Sequence, residues 1–335
     1  MLKTKNDASE DNSKSKLQDL INQNKFSDAI SFLFNKQQKD WPLLQQGLEA
    51  LSEVRSKKFI FDGYEIRTQY NPGRINSTTA NVSTESIKNR KCFLCAENLP
   101  EKQEGILYND YYSILLNPYP IFPQHLTISS LDHKPQRIKN TFNDMIQLSK
   151  DLTDFIIVYN GPESGASAPD HFHFQACKKD RMPVYNDYNN LKKKYGEEIR
   201  NNDVKVYGID DGIRRIISIE SPSSNDLIKT FRNIYDLYSI ISKSHVEPMM
   251  NILTFYDETE WKVIIFFRKK HRPDAYFREN EYNILVSPAS VDLGGVLITP
   301  LEKDFNKIDK ETITQIFREV LIGKEEFEYL KTKLK

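Results

Sequence analysis

Residues 171–175, His-Phe-His-Phe-Gln, alternate polar and aromatic side chains. Successive side chains of a β-strand point to opposite faces, so this period of two predicts a strand with one aromatic face and one polar face. The imidazoles of His171 and His173 then share the polar face with the amide of Gln175, while the two phenylalanines point into a core. The chain is therefore expected to contain a sheet that is buried on one side of this strand.

The remaining hydrophobic pattern favours an α+β fold with antiparallel sheets. Strand-like patterns begin at Tyr64, and further strands are predicted over residues 112–116, 125–129, 155–159, 251–256, 261–267, 283–286 and 295–299. Helices are predicted over residues 17–33, 43–54, 138–152 and 227–241 and after Asp309. In the first half the order is strands, helix, strand, loop and strand, which suits an antiparallel sheet. The second half repeats this order and suggests an internal duplication that residue identity no longer shows.

Charge and composition limit the partners of the chain. Its 335 residues, of which 39% are hydrophobic, suffice for a core. Lysine plus arginine and aspartate plus glutamate both number 47, so no overall field attracts nucleic acid or an anionic membrane. The polar N-terminus has no apolar stretch of the signal-peptide type, and no later stretch resembles a membrane span. We expect a cytoplasmic protein with small-molecule partners and with neither nucleic acid nor membrane as a partner.

A loop of small residues precedes the alternating strand. Its candidate phosphate-binding residues are Asn160, Gly161, Ser164, Gly165, Ala166 and Ser167. Small side chains let backbone N–H groups approach phosphate oxygens, and asparagine and serine add further donors. Because neutral imidazole is a nucleophile at pH 7, a phosphate-binding loop beside two histidines indicates a nucleotidyl-transfer site. The strand alone is also compatible with a solvated polar face that has no chemistry.

The chain has three cysteines, too few for a disulfide framework. Cys92 and Cys95 have the Cys-x-x-Cys spacing of half a structural zinc site, and zinc requires four sulfur or nitrogen ligands. By spacing alone the pair is equally compatible with two buried thiols or with a redox pair. Cys177 stands alone and is expected to be a packed thiol.

Several of these segments resemble the transferase branch of the histidine-triad superfamily. This branch includes the GDP-hexose phosphorylases, diadenosine-tetraphosphate phosphorylase and galactose-1-phosphate uridylyltransferase. The similar segments are residues 117–138, 160–175 and 171–183, with a weaker similarity at residues 71–74. The resemblance is most pronounced to the GDP-hexose phosphorylases. It is specific between Asn71 and Pro183 and extends to the second half only through architecture.

The resemblance implies a role for each motif residue. His173 takes the place of the nucleophile that forms a covalent nucleotidyl intermediate, and Gln175 stands where hydrolases of the superfamily have a third histidine. In the family this glutamine marks transferases, whose intermediate reacts with phosphate or a sugar phosphate. Residues 160–167 fall on the phosphate-binding loop, and Arg74 is a candidate phosphate ligand. Asp170 is an extra residue relative to the uridylyltransferase, which affects the contacts expected of the loop.

The resemblance also completes a metal site. It implies that His133 and His171 join Cys92 and Cys95 as ligands of a structural Zn²⁺ that holds the motif strand in register. No organic cofactor is expected.

These inferences predict a nucleotidyltransferase of the phosphorylase type. The donor is expected to be a nucleoside diphosphate hexose, with GDP-hexose favoured, and the acceptor phosphate or a sugar 1-phosphate. A dinucleoside polyphosphate phosphorylase is the alternative, followed by a hydrolase of the same fold and by a non-catalytic nucleotide- or RNA-binding module. The protein is expected to be a monomer or a homodimer.

Four regions are predicted along the chain. They are a disordered tail at 1–15, a helical appendage at 16–58, a catalytic histidine-triad-like half at 59–200 and a degenerate second half at 201–335. We expect the appendage to pack against the main body. The basic run from Arg268 to Arg272 could reach the nucleotide from the second half, although most of it is expected to be solvated. His125 is expected to be a strand-opening or buried ring, and His245 to be structural.

Overall fold

A ten-stranded antiparallel sheet forms the centre of the protein, and a three-stranded sheet lies beside it. The computed structural model describes residues 15–244 and 246–335, without the side chain of Thr84. Residues 1–14 of the predicted tail and His245 lie outside the described residues, and residue 15 is helical. The strands are β1 Arg55–Ile60, β2 Glu65–Tyr70, β3 Gly105–Tyr108, β4 Tyr112–Leu116, β5 Leu126–Ser130, β6 Phe155–Asn160, β7 His173–Lys178, β8 Gly196–Asn201, β9 Lys205–Asp210, β10 Arg215–Ser221, β11 Met250–Asp257, β12 Glu260–Phe267 and β13 Val296–Thr299.

Helices cover both faces of the large sheet. They are α1 at residues 15–22, α2 Phe26–Asp40, α3 Pro42–Ser52, α4 Ile75–Thr78, α5 Thr84–Asn89, α6 Phe142–Asp151, α7 Pro183–Tyr195, α8 Ser224–Ile241, α9 Asp274–Phe277, α10 Ser290–Leu293, α11 Glu302–Lys307, α12 Lys310–Val320 and α13 Lys324–Leu334. Among the described helices, none is both long and apolar enough to span a bilayer.

The order of strands in the large sheet shows the predicted duplication. The sheet runs β3-β4-β5-β7-β6-β11-β12-β10-β9-β8, so each half contributes five strands in the same arrangement, and the halves meet at β6 and β11. A long helix precedes the fourth strand in both cases, α6 before β6 and α8 before β11. The predicted α+β class with two similar antiparallel halves is confirmed. The limits of the four predicted regions remain predictions.

The central strands are buried on both faces. On β6, Phe155, Ile157 and Tyr159 join one hydrophobic core, and Ile156 and Val158 join the other. This explains why the sequence of β6 is a continuous apolar run, whereas a strand with one solvated face alternates apolar and polar residues. The predicted packing of the N-terminal helices is also confirmed, because α2 buries Phe26, Ile30 and Leu33 in the first core.

Three local predictions were inaccurate. The strand predicted at 283–286 is wrong, because its N–H groups bond outside any ladder: Ile284 donates to the carbonyl of Ala275, and Leu285 to the Asp304 carboxylate. The helix predicted from residue 138 begins at Phe142. The motif strand begins at His173, so His171 lies in the preceding loop.

In the small sheet β2 pairs with β1 antiparallel and with β13 parallel.

Candidate active site

His173 opens strand β7, between β5 and β6, and its side chain is almost fully buried. The ring Nδ1 lies 2.8 Å from the carbonyl oxygen of His171. A carbonyl oxygen can only accept, so Nδ1 donates its proton there and Nε2 keeps the lone pair. Burial, the largest influence, lowers the pKa of His173 to about 4. The ring is therefore neutral at pH 7, and its Nε2 has the lone pair that a nucleophile needs.

Gln136 holds the backbone of His173 from both sides. Its Oε1 accepts from the His173 N–H at 2.8 Å, and its Nε2 donates to the carbonyls of His173 at 2.9 Å and Asn160 at 3.0 Å. Gln136 is fully buried. One amide thus ties the start of β7 to the end of β6, where the loop begins. No sequence pattern distinguishes this glutamine, although it lies in the similar segment 117–138.

Gln175 follows His173 on the same face of β7, and His125 fixes its amide. Ile121 donates its N–H to His125 Nδ1 at 3.3 Å, so the ring proton is on Nε2, which lies 2.9 Å from Gln175 Oε1. Burial lowers the pKa of His125 to about 3, which keeps the ring neutral. With its oxygen occupied, Gln175 directs its NH₂ group away from His125. His125 is thus a buried, hydrogen-bonded ring, as expected.

The loop predicted to bind phosphate follows β6 and borders a small cavity of about 70 Å³. The predicted residues that line this cavity are Arg74, Asn160, Gly165, Ala166, Ser167 and Gln175. Gly161 and Ser164 lie behind them instead, because Gly161 donates its N–H to the carbonyl of Met250 and Ser164 is fully buried.

Gly165 connects this loop to the second half of the chain. Its φ of +99° is a backbone conformation that favours glycine, and a Cβ there would lie 2.7 Å from the Cβ of Ala289. Ala289 lines the same cavity together with Asp292. The second half therefore supplies the opposite wall. At the edge of the cavity, Arg74 donates to the carbonyl of Tyr119 at 2.8 Å.

A larger groove of about 1020 Å³ adjoins the cavity and shares His271 and Arg272 with it. Its basic lining residues are Lys88, Arg137, Lys269, Lys270, His271 and Arg272, and its acidic ones are Glu163 and Asp170. Most of the predicted basic run 268–272 thus faces this groove. Arg268 differs from its neighbours because its side chain is buried.

Cys92, Cys95, His133 and His171 form one cluster, and their ligand atoms all lie within 4.8 Å of one another. His171 Nδ1 lies 3.2 Å from Cys92 Sγ and 3.5 Å from Cys95 Sγ, and His133 Nδ1 lies 3.2 Å from Cys95 Sγ. Tetrahedral zinc bonds of about 2.0–2.3 Å separate ligand atoms by roughly 3.5 Å. His171 Nε2 donates to the carbonyl of Ser130 at 2.8 Å, the outer hydrogen bond typical of a metal-bound histidine. The four residues fit a metal ion.

Two family models match the chain, one in each half. Residues 33–178 match the "Domain of unknown function (DUF4922)", and residues 198–335 match the "GDPGP1-like, C-terminal domain". Among curated proteins, none matches the sequence.

Solved structures of the Ap4A phosphorylase Apa2 from yeast share the fold. One has a TM-score of 0.56 at 15% identity and covers 84% of this chain and 97% of its own. The complex with AMP has a TM-score of 0.54 at 14% identity, covering 83% and 96%. The complex with Ap4A has a TM-score of 0.51 at 15% identity, covering 83% and 97%.

The family-model match in the second half and the fold shared with Ap4A phosphorylase confirm the predicted resemblance to the transferase branch of the histidine-triad superfamily. The match to the GDPGP1-like C-terminal domain is confined to residues 198–335.

Proposed function

We propose that the protein transfers a nucleotidyl group from a nucleoside diphosphate hexose to phosphate or a sugar 1-phosphate through a covalent intermediate on His173. One observation carries this proposal: the hydrogen bond from His173 Nδ1 to the carbonyl of His171, which leaves the lone pair on Nε2. In the first step Nε2 attacks the α-phosphorus, the bond to the bridging oxygen breaks, and hexose 1-phosphate leaves. In the second step a phosphate oxygen attacks the same phosphorus, the bond from phosphorus to Nε2 breaks, and a nucleoside diphosphate leaves while the neutral ring is restored.

The amides beside the cavity support this chemistry. Gln175 has its oxygen bonded to His125, and Asn160 has its oxygen bonded to Asn251. Both residues line the cavity, so their NH₂ groups are donors for the oxygens of the transferred phosphoryl group. Donors fixed before the reaction stabilise the charge that develops on these oxygens. We assign Arg74 and the backbone of residues 165–167 to the same phosphate site, with Gly161 and Ser164 supporting the loop from behind.

We favour a GDP-hexose as the donor, because the second half is a GDPGP1-like C-terminal domain and the motif segments resemble that branch most. A dinucleoside polyphosphate is the alternative, since Ap4A phosphorylase has the same fold. Both donors release a phosphorylated leaving group, which suits the basic groove next to the cavity. Incubation with a panel of nucleoside diphosphate sugars and dinucleotides plus phosphate, read by mass spectrometry, decides between them.

We further propose that Cys92, Cys95, His133 and His171 hold a structural Zn²⁺. These residues come from three separate segments: the loop before β3, the loop after β5 and the residues just before β7. The ion would tie these segments together and keep His173 in place. In this proposal residues 59–200 form the catalytic half and residues 201–335 complete the pocket, in a cytoplasmic monomer or homodimer.

Donor consumption is expected to depend on the acceptor, because Gln175 occupies the position of the third histidine of hydrolases. With catalytic amounts of enzyme, added phosphate should raise the turnover of GDP-hexose at least about tenfold and yield GDP. The products are measured by liquid chromatography, with His173→Asn as the control for contaminating activity. If GMP is the main product whatever acceptor is supplied, the protein is a hydrolase.

A further inference from the structure

Asn251 lies on β11 directly opposite Asn160 on β6, at the pair of strands where the two halves meet. Both side chains are buried. The amide Nδ2 of Asn251 donates to Asn160 Oδ1 at 2.8 Å and to the carbonyl of Ser164 at 2.7 Å. A single residue of the second half therefore contacts the first residue of the phosphate loop and its middle.

The orientation of the Asn251 amide is fixed by two partners, of which one can only donate a hydrogen bond and the other can only accept one. A guanidinium only donates, and Arg268 Nη1 lies 2.7 Å from Asn251 Oδ1. A backbone carbonyl only accepts, and that of Ser164 faces Nδ2. The oxygen of Asn251 must therefore point to Arg268 and its NH₂ group to the loop.

The orientation of Asn160 follows in turn. Its Oδ1 accepts from Asn251 Nδ2 and from the backbone N–H of Ser290 at 2.9 Å, and the Ser290 hydroxyl lies 2.6 Å away. If the amide were reversed, its NH₂ group would face two donors. The NH₂ group of Asn160 is thus directed to the other side, where Asn160 lines the small cavity.

Arg268 is buried, and its guanidinium is hydrogen-bonded to five neutral acceptors. Its side chain is 1% exposed, and its nitrogens donate to Asn251 Oδ1 and to the backbone carbonyls of Lys270, His271, Pro288 and Val320. In the described part of the chain, no carboxylate lies within ion-pair distance of this guanidinium. The buried Asp292 carboxylate partly compensates this charge, and the hydrogen bonds fix the guanidinium in place beside Asn251.

We propose that Asn251, held by Arg268, is a positioning residue for nucleotidyl transfer, because it turns the amide donors of Asn160 toward the phosphate site. This inference rests on the proposed function. It gives the second half a role in the reaction, since that half sets the direction of a hydrogen-bond donor that belongs to the first.

The test is a double-mutant cycle on Asn251 and Asn160. Asn251→Asp keeps the size of the side chain and the bond to Arg268, but it presents an oxygen to Asn160 Oδ1 and to the Ser164 carbonyl, so the Asn160 amide loses the donor that orients it and should shift or reverse. Asn160→Ala removes the donor itself. With enzyme in excess over GDP-glucose, the rate of adduct formation on His173 is measured for the wild type, both single variants and the double variant.

Each single variant should form the adduct about 100-fold more slowly, the usual effect of losing one preorganised donor, while donor binding changes less than about tenfold. The double variant should be no more than about threefold slower than Asn160→Ala, because Asn251 acts through Asn160. Thr254→Val is the matched control, a buried change on the same strand, and should keep the wild-type rate. If Asn251→Asp does not fold, Asn251→Ala replaces it in the same cycle.

An unchanged rate in Asn251→Asp, or single losses that multiply in the double variant, would overturn the inference. If the wild type forms no adduct with GDP-glucose or diadenosine tetraphosphate, the proposed function fails separately. A crystal structure of Asn251→Asp then decides the positioning role: an Asn160 amide that is displaced or reversed supports it, and one that keeps its wild-type position and orientation refutes it.

Discussion

Replacement of His173 by asparagine is expected to slow nucleotidyl transfer by on the order of 10⁴-fold and to abolish the covalent adduct. Asparagine preserves much of the size and polarity of the side chain but has no nitrogen lone pair that can attack phosphorus. The wild-type ring has such a lone pair on Nε2, because Nδ1 donates to the carbonyl of His171. The fold should survive, since Gln136 holds the backbone of this residue and its side chain is not required for those bonds.

The measurement is direct. Enzyme is mixed with donor alone and quenched at alkaline pH, where a phosphorus–nitrogen bond survives, and the peptide that contains His173 is examined for the added mass of a nucleotidyl group. Cys177→Ala is the matched control, because this residue lies on the same face of β7 and is also buried. It should form the adduct normally. Substantial turnover by His173→Asn, with no adduct on the wild type, would show that this histidine is not the nucleophile.

The elements that the sequence predicted are those with a strong local pattern. β11 and β12 are apolar runs separated by a short polar turn, and both were found. Strand β8 was missed because it is polar and lies at an edge of the sheet. Strands β9 and β10 were also missed, although both contain apolar residues that the structure buries. The turn between β9 and β10 carries Asp211-Gly212, a hairpin signal that was available in the sequence.

The candidate site also contains some features that a local sequence pattern predicts and others that no local pattern predicts. The placement of His173 and Gln175 on one face of a strand, and of the two cysteines beside each other, could be predicted, because the period of a strand and the spacing of a Cys-x-x-Cys pair are local. The contact between Asn251 and Asn160 could not, since it joins residues 91 positions apart and depends on how strands of different halves pair. Arg268 stands in a basic run that resembles a solvated surface. Its guanidinium is bonded to carbonyl groups of two other segments, at Pro288 and Val320, and to that of His271 in its own run, and no local pattern indicates this.

Freshly purified protein, produced with sufficient zinc, is expected to contain about one zinc ion per chain. The four ligand atoms already lie at separations close to those of a tetrahedral site, so little rearrangement is needed to bind the ion. Removal of the ion would leave two thiols and two imidazoles facing one another and would release the segment before β7. A structural zinc contributes its binding energy to folding, so a strong chelator should lower the melting temperature by at least about 5 °C.

Single substitutions separate the loss of stability caused by zinc removal from the loss caused by replacing any buried cysteine. Cys92→Ala removes a ligand and should lose most of the zinc together with a comparable share of the stability, whereas Cys177→Ala should keep one zinc per chain, since this buried thiol lies outside the cluster. Zinc is counted by elemental analysis, and stability is measured by thermal unfolding with and without chelator. Because the readout is metal content and melting temperature, the result does not depend on the donor being known. Wild-type protein without any transition metal, with a melting temperature that the chelator leaves unchanged, would contradict the zinc site. Cys92 and Cys95 would then be free thiols or a redox pair, and hydrogen bonds such as those of Gln136 would hold the motif strand without an ion.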